Sequence, residues 1–119
     1  MNKVYISGVI SEDPRLVGSA GSKAHLVFPI TVSHKSSSGI KHEKYYIHAW
    51  DRTAAWGMNN LRLSQRVVVN GYLTQVAVKE SEERTRIDVV VTAEEFIPGQ
   101  LCKTKMGGDV NADVNAAVD

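Results

Sequence analysis

The sequence predicts a small all-β domain with one short helix. Several runs rich in valine, isoleucine, threonine and tyrosine alternate apolar and polar residues, as half-buried strands do, and glycine, serine or charged residues separate them. A single segment in the middle of the chain has helical spacing instead. At 119 residues the chain is long enough for one domain with its own core, and its 43% apolar and 23% charged residues are ordinary for a soluble globular protein.

The first two predicted strands cover residues 3–10 and 24–33. Val4, Ile6 and Ile10 of the first share one face with Gly8, and a glycine inside a strand often marks a bend, a bulge or a close backbone approach. Alternate apolar residues face inward in the second strand. Residues 36–39 follow as a serine-rich hairpin tip. Histidines and lysines bracket this tip, which favours either a solvated loop or a mobile basic finger that closes over a polyanion.

The third predicted strand, residues 43–50, has two chemically different faces. One face carries Tyr45, Ile47 and Ala49, which a core accepts. A buried face seldom carries a lysine, and a merely solvated face seldom carries a tryptophan. Flat rings beside positive charge form a stacking surface for unpaired bases, although rings packed under a loop are the alternative. The residues of this second face are Lys44, Tyr46, His48 and Trp50.

Residues 51–61 predict the short helix, for which Asp51 is a candidate N-cap. Trp56 lies within this segment. We interpret it as an anchor between the helix and the sheet, in preference to a second stacking platform.

The last two predicted strands cover residues 66–78 and 84–93, joined by a charged hairpin tip. The first of them has the highest density of β-branched residues in the chain. Four polar or aromatic residues on these strands extend the candidate binding surface: Tyr72, Thr74, Arg84 and Arg86.

Five strands with one helix between the third and fourth is the order of an OB-fold, a Greek-key barrel whose curved sheet binds nucleic acid or sugar. We assign residues 1–100 to this barrel and residues 101–119 to a disordered, mildly acidic tail. The last thirteen residues hold three of the thirteen acidic residues and no cation, so residues 1–106 hold 14 basic and 10 acidic residues. Such a mildly basic body favours phosphate binding.

Several function classes are disfavoured. No apolar run approaches the length of a membrane span, and no secretory signal opens the chain. Cys102 is the only cysteine, which suits a reducing compartment, and we expect a cytoplasmic protein. The four histidines lack zinc-ligand spacing, and no phosphate loop, nucleophile elbow or metalloprotease motif occurs. We therefore expect a binding protein, not an enzyme, with no metal and no cofactor.

The chain resembles the bacterial and phage single-stranded DNA-binding proteins from Asn2 to about Pro98. The resemblance rests on order and spacing more than on any single motif. Its pieces are Asn2-Lys3-Val4, Gly8, Asp13-Pro14, Ala24-His25-Leu26-Val27-Phe28, Ile47-His48-Ala49-Trp50, Asn60-Leu61, Arg66-Val67 and Asn70-Gly71-Tyr72-Leu73.

This resemblance implies sequence-independent binding of single-stranded DNA, and its protection during replication, recombination and repair. Trp50 matches a ring that contacts DNA in the family. Lys44 and Val78 stand where the family usually has stacking aromatics, and His34 or Lys35 corresponds to a third aromatic position. Because rings are lost at these places, we expect weaker stacking and a larger share of affinity from phosphate contacts.

The resemblance also implies a homotetramer, with a dimer as second choice, assembled through Lys3 to Ile10. Cellular members of the family recruit replication and recombination proteins through an acidic tip. That tip is missing from this sequence, which fits a compact phage or mobile-element member acting in the host cytoplasm. The alternative function is a primosomal or recombination-mediator OB module that binds DNA mainly while docking another protein.

Overall fold

The computed structural model describes residues 1–18 and 23–102. Its elements, in chain order, are β1 Val4–Ile10, β2 Arg15–Val17, β3 His25–Ser36, β4 Gly39–Trp50, α1 Asp51–Asn60, β5 Gln65–Lys79 and β6 Thr85–Leu101. This order confirms the predicted all-β class, with the helix placed between the third and fourth long strands. The short strand β2 is an addition that the sequence pattern does not reveal.

The strands close into a barrel. Their order is β1-β5-β6-β4-β3-β2, and β1 also pairs with β3, so the sheet returns on itself. Every pairing is antiparallel except β4–β6, where Ile47 and His48 lie opposite Val91 and Thr92. With the short strand β2 set aside, five long strands close the barrel and α1 connects β4 to β5, which confirms the OB-fold.

Alternate residues of the strands fill the barrel, because successive side chains of a strand point to opposite faces. Helix α1 packs on the same core through Gly57, where an added Cβ would lie 2.7 Å from a methyl of Leu26. That glycine therefore lets the helix approach the sheet closely. Residues completely buried in the core include Ile10, Leu26, Ile30, Ile47, Ala49, Ala54, Val67 and Val69.

Two hairpins continue beyond the barrel as paired arms. The β3–β4 arm, residues 33–42, stays in register out to Ser36 opposite Gly39. The β5–β6 arm, residues 74–90, stays in register out to Lys79 opposite Thr85. The segment around the serine-rich tip, which composition favours as a loop or mobile finger, is thus a two-stranded ladder with a tight turn.

Several boundaries differ from the sequence-based expectation, among them the end of β3 at Ser36 and the start of β4 at Gly39. Strand β6 runs to Leu101, and the backbone N–H of Cys102 donates to the carbonyl of Ser64, so ordered chain passes residue 100. The predicted acidic tail, from residue 103 onwards, lies outside the described residues. Asp51 is not the N-cap: the helix begins at Asp51, and Trp50 occupies the cap position without a side-chain cap. No helix in the described ranges could span a membrane.

Candidate nucleic-acid interface

The ring-bearing side of β4 lies on the outside of the barrel, as the alternation predicts. Directly paired residues of an antiparallel ladder project to the same side. His25 of β3 lies opposite Trp50, and Pro29 lies opposite Tyr46. The side chains of Tyr46 and Trp50 are 45% and 44% exposed, while His48 between them is partly buried. These rings therefore remain open to a flat ligand.

His25 completes this group, and the sequence pattern did not identify it. Its imidazole stacks on the Trp50 indole with ring centroids 3.7 Å apart and an interplanar angle of 6°. Its Nε2 lies 2.8 Å from Nδ1 of His48. We call His25, Tyr46, His48 and Trp50 the stacking face. The register of β3 against β4 was the missing signal, since only this register places His25 beside Trp50.

Burial lowers the pKa of both histidines on the stacking face. Desolvation lowers the pKa of His25. For His48 desolvation is again the larger cause, and the charge of His25 lowers its pKa further. Both rings are therefore predominantly neutral at pH 7, so one ring donates an N–H to the other across their short contact.

Strands β5 and β6 extend the stacking face sideways. Thr92 of β6 lies beside His48 in the parallel ladder and opposite Tyr72 in the antiparallel one. The Thr92 hydroxyl lies 2.7 Å from that of Thr74. Tyr72 and Thr74 are thus brought next to the β4 rings, although they are more than twenty residues away in the chain.

A groove of about 450 Å³ separates the stacking face from the β5–β6 arm. Aliphatic side chains of the arm form one wall, and an aromatic ring and an imidazole form the other. The groove is apolar on its sides and polar where Arg86 and Asp88 line it, which suits a nucleobase more than a compact ion. Its lining includes Tyr46, His48, Val76, Val78, Arg86 and Asp88.

Arg86, a predicted phosphate contact, is engaged by carboxylates. Its Nε and Nη2 donate to the two carboxylate oxygens of Asp88 at 2.7 and 3.1 Å, and its Nη1 donates to Glu80 at 2.8 Å. These bonds raise the pKa of Arg86 above its ordinary range and lower the pKa of Asp88. Arg84 lies nearby at the turn of this arm, exposed, where its backbone bonds to Ser81 and Glu80.

The basic residues of the β3–β4 arm fall on two different sides. Lys35 lies opposite Ile40, in the same alternation as Lys44 and Trp50, whereas His34 lies on the other side. His34 Nε2 is 3.4 Å from a carboxylate oxygen of Glu43. Lys35 is therefore the one of these two alternatives that shares the outer side with the stacking face.

Lys44 is held only weakly. Its Nζ lies 3.6 Å from a carboxylate oxygen of Glu12, and both side chains are about half exposed. Exposed pairs of this kind contribute little free energy. An incoming phosphate can therefore replace the carboxylate at Lys44 more easily than at Arg86.

Strand β2 adds a cation that the sequence pattern missed. Arg15 lies opposite Val27, which in turn lies opposite His48, so the exposed arginine stands in the same cross-strand row as the stacking face. The pattern gave no signal for it because a three-residue strand is too short to show alternation.

Trp56 stands apart from the stacking face. Its ring lies on the Phe96 ring at 6.2 Å with an angle of 18°, so it joins α1 to β6 as expected of an anchor. It nevertheless retains 39% exposure. Residues 1–18 and 23–102 contain no group of three or more histidine, cysteine, aspartate or glutamate side chains able to hold a metal ion.

Comparison with known proteins agrees with this geometry. A search of curated protein sequences finds no match. Among solved structures, the chain is similar to the Plasmodium falciparum SSB in complex with ssDNA, with a TM-score of 0.70 and 16% sequence identity, over 82% of this chain and 94% of that one. The model of the single-strand binding protein family matches residues 1–98. The chain therefore belongs to the single-strand binding protein family.

Proposed function

We propose that the chain binds and protects single-stranded DNA without reading its sequence, by stacking bases on the outer barrel face and neutralising phosphates around it. The observation that carries this proposal is the exposed ring of Trp50, fixed flat against His25 beside Tyr46 and His48. Every base has a π-face, so stacking on such rings tolerates any sequence. Family membership supports a binding role and not a catalytic one.

The phosphate contacts would surround the rings. Lys44 and Lys35 lie along the outer side of β4 and β3, Arg86 lines the groove, and Arg84 lies exposed at the turn of the β5–β6 arm. Arg86 must first exchange Asp88 or Glu80 for a phosphate. Tyr72 and Thr74 would contact the base or sugar between these cations. His34 faces the other side of its arm, so we propose that it contacts DNA only where the strand wraps around that arm.

The direct test is a titration with oligothymidylate, compared with a blunt duplex of the same length, at two salt concentrations. We expect tight binding of the single strand and much weaker binding of the duplex. The affinity for the single strand should fall with salt, at roughly 0.7 units of log K per unit of log salt for each phosphate neutralised. Equal binding of the duplex, or a flat salt dependence, would contradict the proposal.

We further propose that the protein acts as a homo-oligomer through β1. Strand β1 pairs with β5 along Val4–Val9, but with β3 only at Val9 and Ile10. The other edge of Val4 to Gly8 is therefore open among the described residues, and Tyr5 beside it is 68% exposed. An open edge can pair with a second copy across a two-fold axis.

Sedimentation of the parent and of Tyr5→Lys tests this assembly. We expect a tetramer for the parent and smaller species for the variant, since a lysine at an edge opposes strand pairing. A dimeric parent would favour the primosomal or mediator role, and a monomeric parent would refute assembly through β1. Replication and recombination proteins remain proposed partners, and the cytoplasm the proposed compartment.

A further inference from the structure

The His25–His48 contact joins two titratable rings, and one of them, His25, is stacked on the ring proposed to stack on DNA. The Nε2–Nδ1 distance of 2.8 Å is that of a full hydrogen bond. Two neutral imidazoles can share it, because one donates and the other accepts. An imidazolium and an imidazole can share it as well, and the bond is then charge-assisted and stronger. Two imidazolium rings cannot, since neither retains an acceptor.

We propose that the His25–His48 pair takes up one proton when single-stranded DNA occupies the stacking face, so that DNA binding is coupled to protonation of the protein. This inference rests on the proposed function of that face. The proton comes from a buffer acid and resides in the N–H–N bond between the rings. The pair holds one proton only, because the second would place two like charges in contact.

DNA supplies a charge that the free protein does not provide to the pair. In the free protein partial burial opposes the charge, and it lowers the pKa of both rings. A neighbouring phosphate supplies the opposite charge that the free pair lacks. The indole of Trp50, stacked at 3.7 Å, presents its electron-rich face to His25 and attracts a cation there in the free protein and in the complex alike, so the phosphate is the contact that favours the charged pair in the complex.

The other ionisable groups near the pair do not supply this charge themselves. Among the described residues, neither ring bonds to a carboxylate, and Asp88 is occupied by Arg86. The neighbouring groups, taken from every surrounding element, are Arg15 on β2, Lys44 and Tyr46 on β4, Asp51 and Arg52 on α1, Tyr72 on β5 and the Arg86–Asp88 pair on β6.

The sign of the effect follows from linkage. If DNA raises the pKa of the pair, the complex binds more protons than the free protein at any pH between the pKa of the free pair and its pKa in the complex. Affinity therefore rises as pH falls through that interval. Each unit by which DNA raises the pKa corresponds to about a tenfold gain in affinity. Because burial holds the pKa of the free pair below the ordinary histidine value, affinity should be higher on the acid side of neutrality than on the alkaline side.

Calorimetric titration with oligothymidylate in buffers of different ionisation enthalpy measures the proton uptake. Thymine does not titrate near neutral pH, so uptake reports on the protein. The first variant is the double variant His25→Gln with His48→Gln, and the second is the control His42→Gln, at a histidine outside the proposed DNA contacts. We expect uptake of up to one proton per chain in the parent and in the second variant, and its loss in the first.

A second measurement needs no variant. Proton NMR of the histidine rings should show two of the four resonances titrating at higher pH in the oligothymidylate complex than in the free protein. Equal uptake by the first double variant and the parent, loss of uptake in the second variant, or unmoved ring titrations would overturn the inference. Binding without proton uptake would refute the coupling alone, whereas no binding of oligothymidylate would refute the proposed function.

Discussion

At the scale of single residues, Trp50 has one face to offer a base, since His25 covers the other. The structure thereby limits this tryptophan to a single stacked base, held by an indole that its neighbour fixes in place. Stacking a base on this indole costs little side-chain entropy, because a ring already packed on one side loses little freedom on binding.

Replacing this ring therefore has a defined expected effect. Trp50→Ala should weaken oligothymidylate binding by about 1–3 kcal/mol, the contribution of one stacked base, without unfolding an exposed position. Trp56→Ala is the matched control, since its ring lies on Phe96 away from the stacking face. Fluorescence anisotropy with a labelled oligonucleotide measures both. Unaltered affinity of Trp50→Ala would show that this ring does not stack.

The residue that follows Trp50 is conformationally restricted. Asp51 has a φ of 52°, in the left-handed region that costs most L-residues about 1–2 kcal/mol. Its backbone N–H donates to the carbonyl of Ala24, so the turn into α1 is tied to β3. Asp51→Val should therefore lower the free energy of unfolding by about 1–2 kcal/mol, because branched residues avoid this region.

Asp51→Gly is the control, since glycine adopts positive φ without steric conflict. We expect it to be at least as stable as the parent in urea unfolding. A valine variant as stable as the glycine variant would refute the strain at this turn.

At the scale of elements, the sequence predicts the strands well wherever alternation is long. The order of strands and helix and the two faces of β4 follow from the local pattern and agree with the structure, except that Tyr45, on the face predicted to enter the core, is 37% exposed and donates to Glu43. Asp51 failed as an N-cap because the backbone turns into the helix at that residue itself. Arg15 and His25 were missed because their importance depends on cross-strand register, which links distant parts of the chain and leaves no local pattern.

Arg86 is a different case, because the carboxylate that engages it is close by in the chain. The sequence indicates a cation on the correct strand, but the structure shows Asp88 two residues away on the same side holding it. Side chains two residues apart on a strand point to the same side, so Arg86 and Asp88 can reach each other. The consequence is a phosphate contact that must compete with a carboxylate already in place.

Releasing this arginine should strengthen binding. Asp88→Asn removes the negative charge that competes with a phosphate for Arg86, so affinity for oligothymidylate should rise. Arg86→Gln is the complementary variant, in which affinity should fall and the number of phosphates inferred from the salt slope should decrease by about one. Unchanged affinity in both variants would show that Arg86 does not contact the DNA backbone.

At the scale of the whole molecule, the lowered pKa values of His25 and His48 make stability depend on pH. The unfolded chain binds protons at these histidines more readily than the folded chain. Stability in the absence of DNA should therefore decline as pH falls below about 6.5, the unfolded histidine value. Asp88 and Glu43, whose pKa values are lowered from acidic reference values, do not titrate in this interval.

Thermal unfolding between about pH 7.5 and about pH 5.5 measures this dependence. The variant carrying His25→Gln and His48→Gln should show a flatter curve than the parent, and the variant carrying His34→Gln and His42→Gln should not. Identical curves for the parent and the first variant would exclude the pair as the source of the pH dependence.

The barrel as a whole presents its two tryptophans to different surroundings, which allows a direct measurement of where DNA binds. Tryptophan fluorescence is recorded during titration with oligothymidylate in Trp56→Phe, which retains only Trp50, and in Trp50→Phe, which retains only Trp56. We predict strong quenching in Trp56→Phe and little change in Trp50→Phe. Quenching confined to Trp50→Phe would contradict the account, because it would place the DNA at the helix and not on the stacking face.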